Sequence, residues 1–337
     1  MMDTAQKLER IAVLGAGAWG AALAQTAARG GRPVVLWTRA PEFAERLMLE
    51  RRNARYLPDI TLERSIVATS DLEAALSCDA VLAATPAQHL RAILRQGAAA
   101  IRPGLPAVLC CKGVEQGTLA LMSEVLAAEA PAAAPLVLSG PGFAKDVAGG
   151  LPTATTIAGA PALAAALAQR LAGPSFRPYV SDDLIGAQIG GAVKNVIAIA
   201  CGVAQGRGLG ESARAALITR GFAEMCRLGL ALGARVETLN GLSGLGDLVL
   251  TCTSLASRNT TLGHALGSGK SLAEALAGKG GLAEGAASAP AVQALAARCG
   301  VEMPICTAVA AILDGGAAVD QAIAALLSRP LKAEGVG

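Results

Sequence analysis

The first half of the chain alternates short apolar runs with longer segments in which apolar and polar residues follow a helical period. The apolar runs at 10–15, 33–38, 66–69, 80–84, 107–111, 135–139 and 177–180 predict strands, and the segments 20–29, 40–50, 72–75, 88–99 and 118–128 predict helices. Strands that alternate with helices are typical of a parallel sheet covered on both faces. We therefore predict an α/β fold with a doubly wound parallel sheet.

The second half of the chain shows a different pattern, because the strand-like runs stop near residue 181. The segments 184–204, 212–232, 236–239, 260–266, 287–297 and 319–327 all follow a helical period. A length of 337 residues is sufficient for two domains that each bury a core. We predict a nucleotide-binding domain at 1–182 and an all-helical substrate-binding domain at 183–332.

Composition excludes several classes of partner. The net charge is only +3, no Lys or Arg block occurs, and aromatic residues make up 2% of the chain, so nucleic acid is not an expected partner. The mean hydropathy of +0.48 comes largely from alanine. The most apolar segment, 185–204, contains Lys194 and Asn195, so we expect no transmembrane helix. The polar start of the chain has no apolar signal region, which predicts a cytoplasmic protein.

The eight cysteines are scattered and none forms a Cys-x-x-Cys pair, so we expect reduced, buried thiols. Only two histidines are present, and no metal site is predicted.

A glycine motif follows the first predicted strand and opens the first predicted helix. Gly15, Gly17 and Gly20 have the G-x-G-x-x-G spacing that lets backbone N–H groups approach a pyrophosphate at a helix N-terminus. This context predicts a Rossmann-like site for NADP or NAD. The second strand ends at Arg39 without the acidic residue that binds a ribose 2′-hydroxyl, which favours NADP slightly. Arg39 is alternatively a solvated charge at the strand end.

Two further predicted strands end in candidate ligand-binding residues. Lys112 follows one strand, and Gly140 and Gly142 follow another, at the carboxyl edge where ligands of such sheets bind. In the alternative interpretation, Lys112 is a surface lysine and the glycines only form a turn.

Lys194 lies in a helix that is otherwise composed mainly of Ala, Ile, Val and Gly. Burial there lowers the pKa of a lysine, so Lys194 is the best candidate for a general acid and base. A salt-bridged structural lysine is the alternative.

The segment 241–259 combines glycines, one carboxylate, hydroxyls and an Arg-Asn pair. Asp247 is expected to bind a substrate hydroxyl or to hold Lys194, and the group Ser257, Arg258 and Asn259 is suited to binding a phosphate. Asp247 as a helix N-cap and Arg258 in a surface ion pair are the alternatives. Glu284, in a glycine-rich loop, contacts the nicotinamide or its ribose, or caps the next helix.

These motifs together resemble the bacterial NAD(P)-dependent glycerol-3-phosphate dehydrogenases over nearly the whole chain. The matching runs are residues 15–20, 53–58, 139–144, 190–195, 217–221 and 241–259. The resemblance implies reversible hydride transfer between NADPH or NADH and dihydroxyacetone phosphate, giving sn-glycerol 3-phosphate for phospholipid synthesis. The partner is then a small-molecule substrate, and the Ala-rich helical surface suggests a homodimer.

The resemblance also implies roles for individual residues. Lys194 is the proton acceptor in the oxidative direction and Asp247 orients it. The residues implied around the substrate are Lys112, Gly140, Gly142, Lys194, Asp247, Ser257, Arg258 and Asn259. Those implied along the cofactor, beside the three glycines, are Ala18, Trp19, Arg39, Tyr56, Lys112, Ala144, Arg258, Leu282 and Glu284.

Two departures from the family pattern bear on affinity. Gly142 replaces a usual serine, and Glu211 and Ser212 replace a usual Asp-Asn pair.

Two other classes of protein share parts of this sequence pattern. A 2-hydroxy-acid dehydrogenase does not need the phosphate-binding group, and a non-catalytic NAD(P) sensor needs neither that group nor the lysine.

Overall fold

The computed structural model describes residues 8–277 and 283–330. The chain divides into two compact units, Met1–Cys111 with Met122–Leu184, and Lys112–Leu121 with Ile185–Gly337. The domain limits predicted from sequence differ from this division at residues 183–184, which they assign to the second domain, and in the segment Lys112–Leu121, which they assign to the first. Val114 and Leu121 belong to the apolar core of the second unit and pair in an isolated β-bridge, so burial draws this segment into that unit.

The first unit contains all ten strands of the described chain and seven α-helices. The strands are β1 (Ile11–Leu14), β2 (Val34–Trp37), β3 (Arg52–Asn53), β4 (Leu57–Thr61), β5 (Ile66–Thr69), β6 (Ala80–Ala83), β7 (Pro106–Leu109), β8 (Ala134–Ser139), β9 (Thr153–Gly159) and β10 (Phe176–Ser181). The helices are α1 (Ala18–Ala28), α2 (Pro41–Glu50), α3 (Leu72–Leu76), α4 (Leu90–Gly97), α5 (Met122–Glu129), α6 (Ala144–Gly149) and α7 (Pro161–Leu171).

Eight strands form one sheet in the order β10-β9-β8-β7-β6-β1-β2-β5. The order reverses between β1 and β6, which both pair in parallel register, so a ligand-binding crevice is expected at the carboxyl ends of these two strands. This confirms the predicted α/β class.

The predicted sheet was entirely parallel, but β8 and β9 pair antiparallel. Sequence reasoning did not predict β9, because Ile157 is the only large apolar residue in a strand made mostly of Thr and Ala. The two-stranded sheet of β3 and β4 also went unpredicted.

The second unit is helical, as predicted. Its helices are α8 (Leu184–Gly206), α9 (Gly210–Ala231), α10 (Val236–Asn240), α11 (Asp247–Cys252), α12 (Arg258–Gly267), α13 (Leu272–Leu276), α14 (Glu284–Arg298), α15 (Pro304–Leu313) and α16 (Val319–Leu327). A π-helical turn, Leu242–Gly246, leads directly into α11. Helix α12 packs closely on α8, since a Cβ on Gly263 would overlap the carbonyl O of Ile199.

One helix of the described chain, α8, is long and apolar enough to cross a membrane by length and composition. Of its most apolar window, 89% is buried inside the protein, which is typical of a core helix. Seven of the eight cysteines are buried, as predicted, and no disulfide joins two of them within the described residues. The described residues contain no group of three or more side chains suited to holding a metal ion.

Candidate active site

The turn between β1 and α1 exposes backbone N–H groups at the carboxyl edge of the sheet. Gly15 has a φ of +108°, which favours glycine, and a Cβ on Gly20 would overlap the carbonyl O of Gly15. Gly17 is the N-cap of α1, and Ala18 and Trp19 form its first turn. No described side chain caps this N-terminus, so its N–H groups can bind an anion.

A dinucleotide fits this turn for a second reason. Thr85 follows β6 and its Cγ2 would lie 3.2 Å from a Cβ on Gly15. The Thr85 hydroxyl is buried and has no hydrogen-bond partner in the described part of the chain. An unpartnered buried hydroxyl is rare, and here it lies beside the turn expected to bind a pyrophosphate.

The glycine turn is held from the side by Asn53, whose role sequence reasoning missed. Asn53 Nδ2 donates to the carbonyl O of Ala16 at 2.9 Å, and Asn53 Oδ1 accepts from the backbone N of Tyr56 at 3.1 Å. The Tyr56 ring contacts Phe43 edge to face, with the ring centroids 6.3 Å apart. The only available signal was the position of Asn53 in the run 53–58 that resembles the family.

Four other predicted residues also lie in the first unit. Arg39 follows β2 with its side chain exposed, and Ala144 is the first residue of α6. Gly140 follows β8 with a φ of +153°, and a Cβ there would lie 2.9 Å from Thr155 Cα. A Cβ on Gly142 would lie 3.7 Å from Trp19 Cη2, so the structure brings the run 139–144 next to the glycine turn.

In the second unit, two lysines share one buried carboxylate. Lys194 Nζ donates to Asp247 Oδ1 at 2.8 Å, and Lys112 Nζ donates to Asp247 Oδ2 at 2.6 Å. The side chain of Asp247 is only 2% exposed. Asp247 therefore holds Lys194, as one sequence-based interpretation proposed, and it is not the N-cap of α11, which is Gly246.

Thr251 completes the environment of Lys194, and sequence reasoning did not identify it. Its Oγ1 accepts a hydrogen bond from Lys194 Nζ at 2.8 Å and lies 3.3 Å from Asp247 Oδ1. Residues four apart on a helix share a face, so the spacing of Asp247 and Thr251 was the usable signal. Two of the three N–H bonds of the ammonium are used, and no other described side chain accepts from it.

The pKa values of this group follow from burial and mutual attraction. Burial lowers the pKa of Lys194, which Asp247 opposes and Lys112 reinforces. Burial also tends to raise the pKa of Asp247, but the charges and hydrogen bonds of the two lysines outweigh it and hold that pKa below its ordinary value. Asp247 is therefore an anion, and the pKa of the Lys194 ammonium lies below that of a solvated lysine.

Of the three residues predicted to bind phosphate, Ser257 and Asn259 already form hydrogen bonds within the protein. Ser257 is the N-cap of α12, and its Oγ accepts from the backbone N of Thr260 at 3.3 Å. Asn259 Nδ2 donates to Asn195 Oδ1 at 2.9 Å, and Asn259 Oδ1 accepts from the backbone N of Gly285 at 2.9 Å. These two side chains hold neighbouring elements together.

Arg258 has an exposed side chain and forms no ion pair or hydrogen bond among the described residues. The alternative of a surface ion pair therefore does not hold there, and its guanidinium can bind an anion.

Glu284 begins α14, and its carboxyl accepts a hydrogen bond from the backbone N–H of Lys112. Burial raises its pKa, while the charges of Arg258, Lys112 and Lys194 oppose the rise. The second unit thus brings Lys112, Lys194, Asp247, Arg258 and Glu284 into one charged cluster. Leu282, another predicted cofactor residue, lies outside the described residues.

Comparison with known proteins agrees with this geometry. The model of the NAD-dependent glycerol-3-phosphate dehydrogenase N-terminus matches residues 10–165, and that of the C-terminus matches residues 183–324. The chain belongs to this family.

Individual relatives cover almost the entire chain. A glycerol-3-phosphate dehydrogenase [NAD(P)+] from Parvibaculum lavamentivorans is 58% identical over 326 residues, which are 96% of this chain and 98% of the relative. The crystal structure of glycerol-3-phosphate dehydrogenase from Coxiella burnetii has a TM-score of 0.92 and 40% identity, over 95% of this chain and 99% of that one. The corresponding structure from Saccharomyces cerevisiae has a TM-score of 0.80 and 27% identity, over 93% and 98%.

The departures from the family pattern lie in different places. Gly142 lies in the first unit beside Trp19. Glu211 and Ser212 are exposed in the first turn of α9, where Glu211 pairs with Arg214. Neither departure removes a member of the charged cluster.

Proposed function

We propose that this protein is an NAD(P)-dependent glycerol-3-phosphate dehydrogenase that interconverts dihydroxyacetone phosphate and sn-glycerol 3-phosphate. The observation that carries the proposal is the Lys194 ammonium, which Asp247 Oδ1 and Thr251 Oγ1 hold at 2.8 Å each while one N–H bond is left for a ligand. The names of the relatives support the same reaction.

The bound nicotinamide supplies the hydride in the reductive direction and accepts it in the oxidative direction. Lys194 donates a proton to the carbonyl oxygen as the alcohol forms, and its neutral amine accepts that proton in reverse. Asp247 fixes the direction of the ammonium and compensates its buried charge. Burial lowers the pKa of Lys194, which favours release of its proton.

The phosphate of the substrate binds to Arg258, whose guanidinium has no partner among the described side chains. Lys112 and the backbone of Gly140 and Gly142 are further proposed contacts, with Ser257 and Asn259 in support. Binding energy from the phosphate, which does not react, positions the ketone for reaction.

The cofactor binds at the turn of Gly15, Gly17 and Gly20, and we propose a slight preference for NADP through Arg39. The exposed guanidinium of Arg39 at the end of β2, without an acidic neighbour in sequence, supports this preference. We also propose that the enzyme acts in the cytoplasm and supplies phospholipid synthesis. We propose a homodimer on the basis of the Ala-rich helical surface, which analytical ultracentrifugation tests.

The decisive experiment measures initial rates of NADPH and NADH oxidation with dihydroxyacetone phosphate, unphosphorylated dihydroxyacetone and a 2-keto acid. We expect turnover with the phosphorylated ketone alone. Reduction of the 2-keto acid instead would indicate a 2-hydroxy-acid dehydrogenase, and cofactor binding without turnover of any substrate would indicate a sensor.

The role of Lys194 is tested by Lys194→Ala. We expect the variant to lose most of kcat and to bind NADPH as the parent does. A comparable loss of cofactor binding would show that the lysine is structural.

A further inference from the structure

The charged cluster of the second unit has a charge that does not match its proposed ligand. It contains three cations, Lys112, Lys194 and Arg258, and two carboxylates, Asp247 and Glu284. With every group ionised its net charge is +1. A phosphate group near neutral pH carries close to two negative charges. Binding of the dianion with both carboxylates ionised would therefore leave a net charge of −1 in a cluster that includes the buried Lys194 and Asp247, and excess charge is costly beside buried groups.

The carboxyl of Glu284 accepts a hydrogen bond from a neighbouring segment, and further contacts fix the backbone of the first turn of α14, from which it projects. The backbone N–H of Lys112 donates to the carboxyl, and the next residue, Gly285, donates its N–H to Asn259 Oδ1 at 2.9 Å. A Cβ on Gly285 would lie 2.5 Å from the carbonyl O of Asn195, so this turn packs directly on α8. Gln116 Nε2 donates to the carbonyl O of Ala287 at 2.8 Å. A fixed carboxyl responds to a new neighbouring charge by changing its protonation.

Among the described residues, the charged groups that act on Glu284 belong to three elements. Arg258 of α12 has the largest effect, followed by Lys112 of the segment Lys112–Leu121 and Lys194 of α8. Asp247 of α11 is bonded to both lysines. Glu115 is the other acid of that segment, and its carboxylate accepts from Thr118 Oγ1.

The two carboxylates of the cluster differ in their readiness to accept a proton. Both lysines hydrogen-bond Asp247 directly, and its pKa is lowered. Burial raises the pKa of Glu284, for which the one hydrogen bond identified comes from a neutral backbone N–H. An added proton is therefore stabilised more on Glu284 than on Asp247.

We propose that Glu284 takes up a proton when a phosphate dianion binds at Arg258, so that a cluster of charge +2 meets a ligand of charge −2. This inference rests on the proposed function and assigns Glu284 the role of matching the site to a dianion. The affinity for the phosphate ligand then falls with rising pH, by up to tenfold per pH unit, between the pKa of Glu284 in the free protein and its higher pKa in the complex. Above that interval the ionised carboxylate repels the dianion.

The experiment is isothermal titration calorimetry of sn-glycerol 3-phosphate into protein saturated with NADPH, a combination in which no hydride can be transferred. Titrations in buffers of different ionisation enthalpy give the number of protons taken up. Over a pH series, we expect proton uptake by the parent in the interval in which its affinity falls, and loss of that uptake in Glu284→Gln. Glu224→Gln is the matched control, because Glu224 is another buried carboxyl of this unit with a raised pKa, and its carboxylate accepts from the backbone N of Ile305 at 2.6 Å. This control should take up protons as the parent does.

Equal proton uptake by Glu284→Gln and the parent would overturn the proposal, since Lys194 or the ligand would then be the proton acceptor. Absence of uptake by the parent would overturn it as well. If Glu284→Gln does not bind the ligand, infrared difference spectra of the parent show whether a carboxyl is protonated on binding. The proposal requires that binding produce the C=O stretch of a protonated carboxyl. Failure of the proposed function is separately visible as a lack of turnover of dihydroxyacetone phosphate.

Discussion

The hydroxyl of Thr251 offers the sharpest test of how Lys194 is positioned. Thr251→Val replaces the hydroxyl by a methyl group of similar size and removes the hydrogen bond accepted from Lys194 Nζ at 2.8 Å. The bond from Lys194 Nζ to Asp247 Oδ1 remains. An ammonium held by one partner instead of two rotates more freely, so the third N–H bond, which we propose binds the substrate, loses its orientation.

The expected magnitude follows from the charge of the donor. A hydrogen bond to a charged group contributes about 1.5–3 kcal/mol, and about 1.4 kcal/mol corresponds to a factor of ten in rate. We therefore expect kcat to fall about tenfold to a hundredfold. The hydroxyl also stabilises the ammonium form, so its loss lowers the pKa of Lys194 further.

The pH profile separates positioning from simple loss of structure. In the proposed mechanism, reduction requires the Lys194 ammonium, which is lost as pH rises through the pKa of Lys194. The alkaline decline of kcat in Thr251→Val should therefore begin at lower pH. The control is Thr253→Val, because the Thr253 hydroxyl donates only to the carbonyl O of Val249 at 2.7 Å and its side chain is exposed. An unchanged kcat and pH profile in Thr251→Val would refute the reasoning, as would an equal effect in the control.

Three other substitutions test separate parts of the structure. Arg39→Ala should raise KM for NADPH about tenfold and leave KM for NADH unchanged, and equal effects on both would show that Arg39 does not contact a 2′-phosphate. Gly142→Ser should lower KM for dihydroxyacetone phosphate about twofold to fivefold, because it adds one hydroxyl contact. The new Cβ would lie 3.2 Å from Val147 Cγ2, so this side chain must shift slightly. A rise in KM would contradict the contact. Gly190→Ala should lower the free energy of unfolding by about 1–3 kcal/mol, because the new Cβ would overlap the carbonyl O of Ser243. Thermal unfolding should show this loss as a lower Tm. An unchanged Tm would show that the turn before Asp247 can move aside.

Much of the fold was predictable because the hydrophobic pattern along the sequence agrees with the burial of the same residues in the structure. The fully buried strands β1, β2 and β6 read as continuous apolar runs, and Gly15 to Gly20 mark the turn that follows β1. Strand β9 was not predictable, because its Thr-rich sequence becomes a strand only through pairing with β8 and β10. Tertiary pairing overrides weak local preference.

The candidate site was predictable to the level of residue type. Lys194 stood out as a lysine in an apolar helix, and Asp247 and Arg258 as charges in a glycine-rich segment. The sequence did not show that Lys112 and Lys194 share one carboxylate, because the residues concerned are 135 and 53 positions from Asp247.

The sequence by itself determined the alternation of strands and helices at the start of the chain, the change to helices near residue 181, the glycine turn and the identity of the charged residues, since these depend on local composition and spacing. Tertiary structure alone decided the partners of those charges. The close packing of α8 on the turn before α11 brings Lys194, Asp247 and Thr251 together, and burial of Val114 and Leu121 draws Lys112 into the second unit. Contacts between residues far apart in sequence form only when the core is packed, and the local sequence does not predict which of these residues will be in contact.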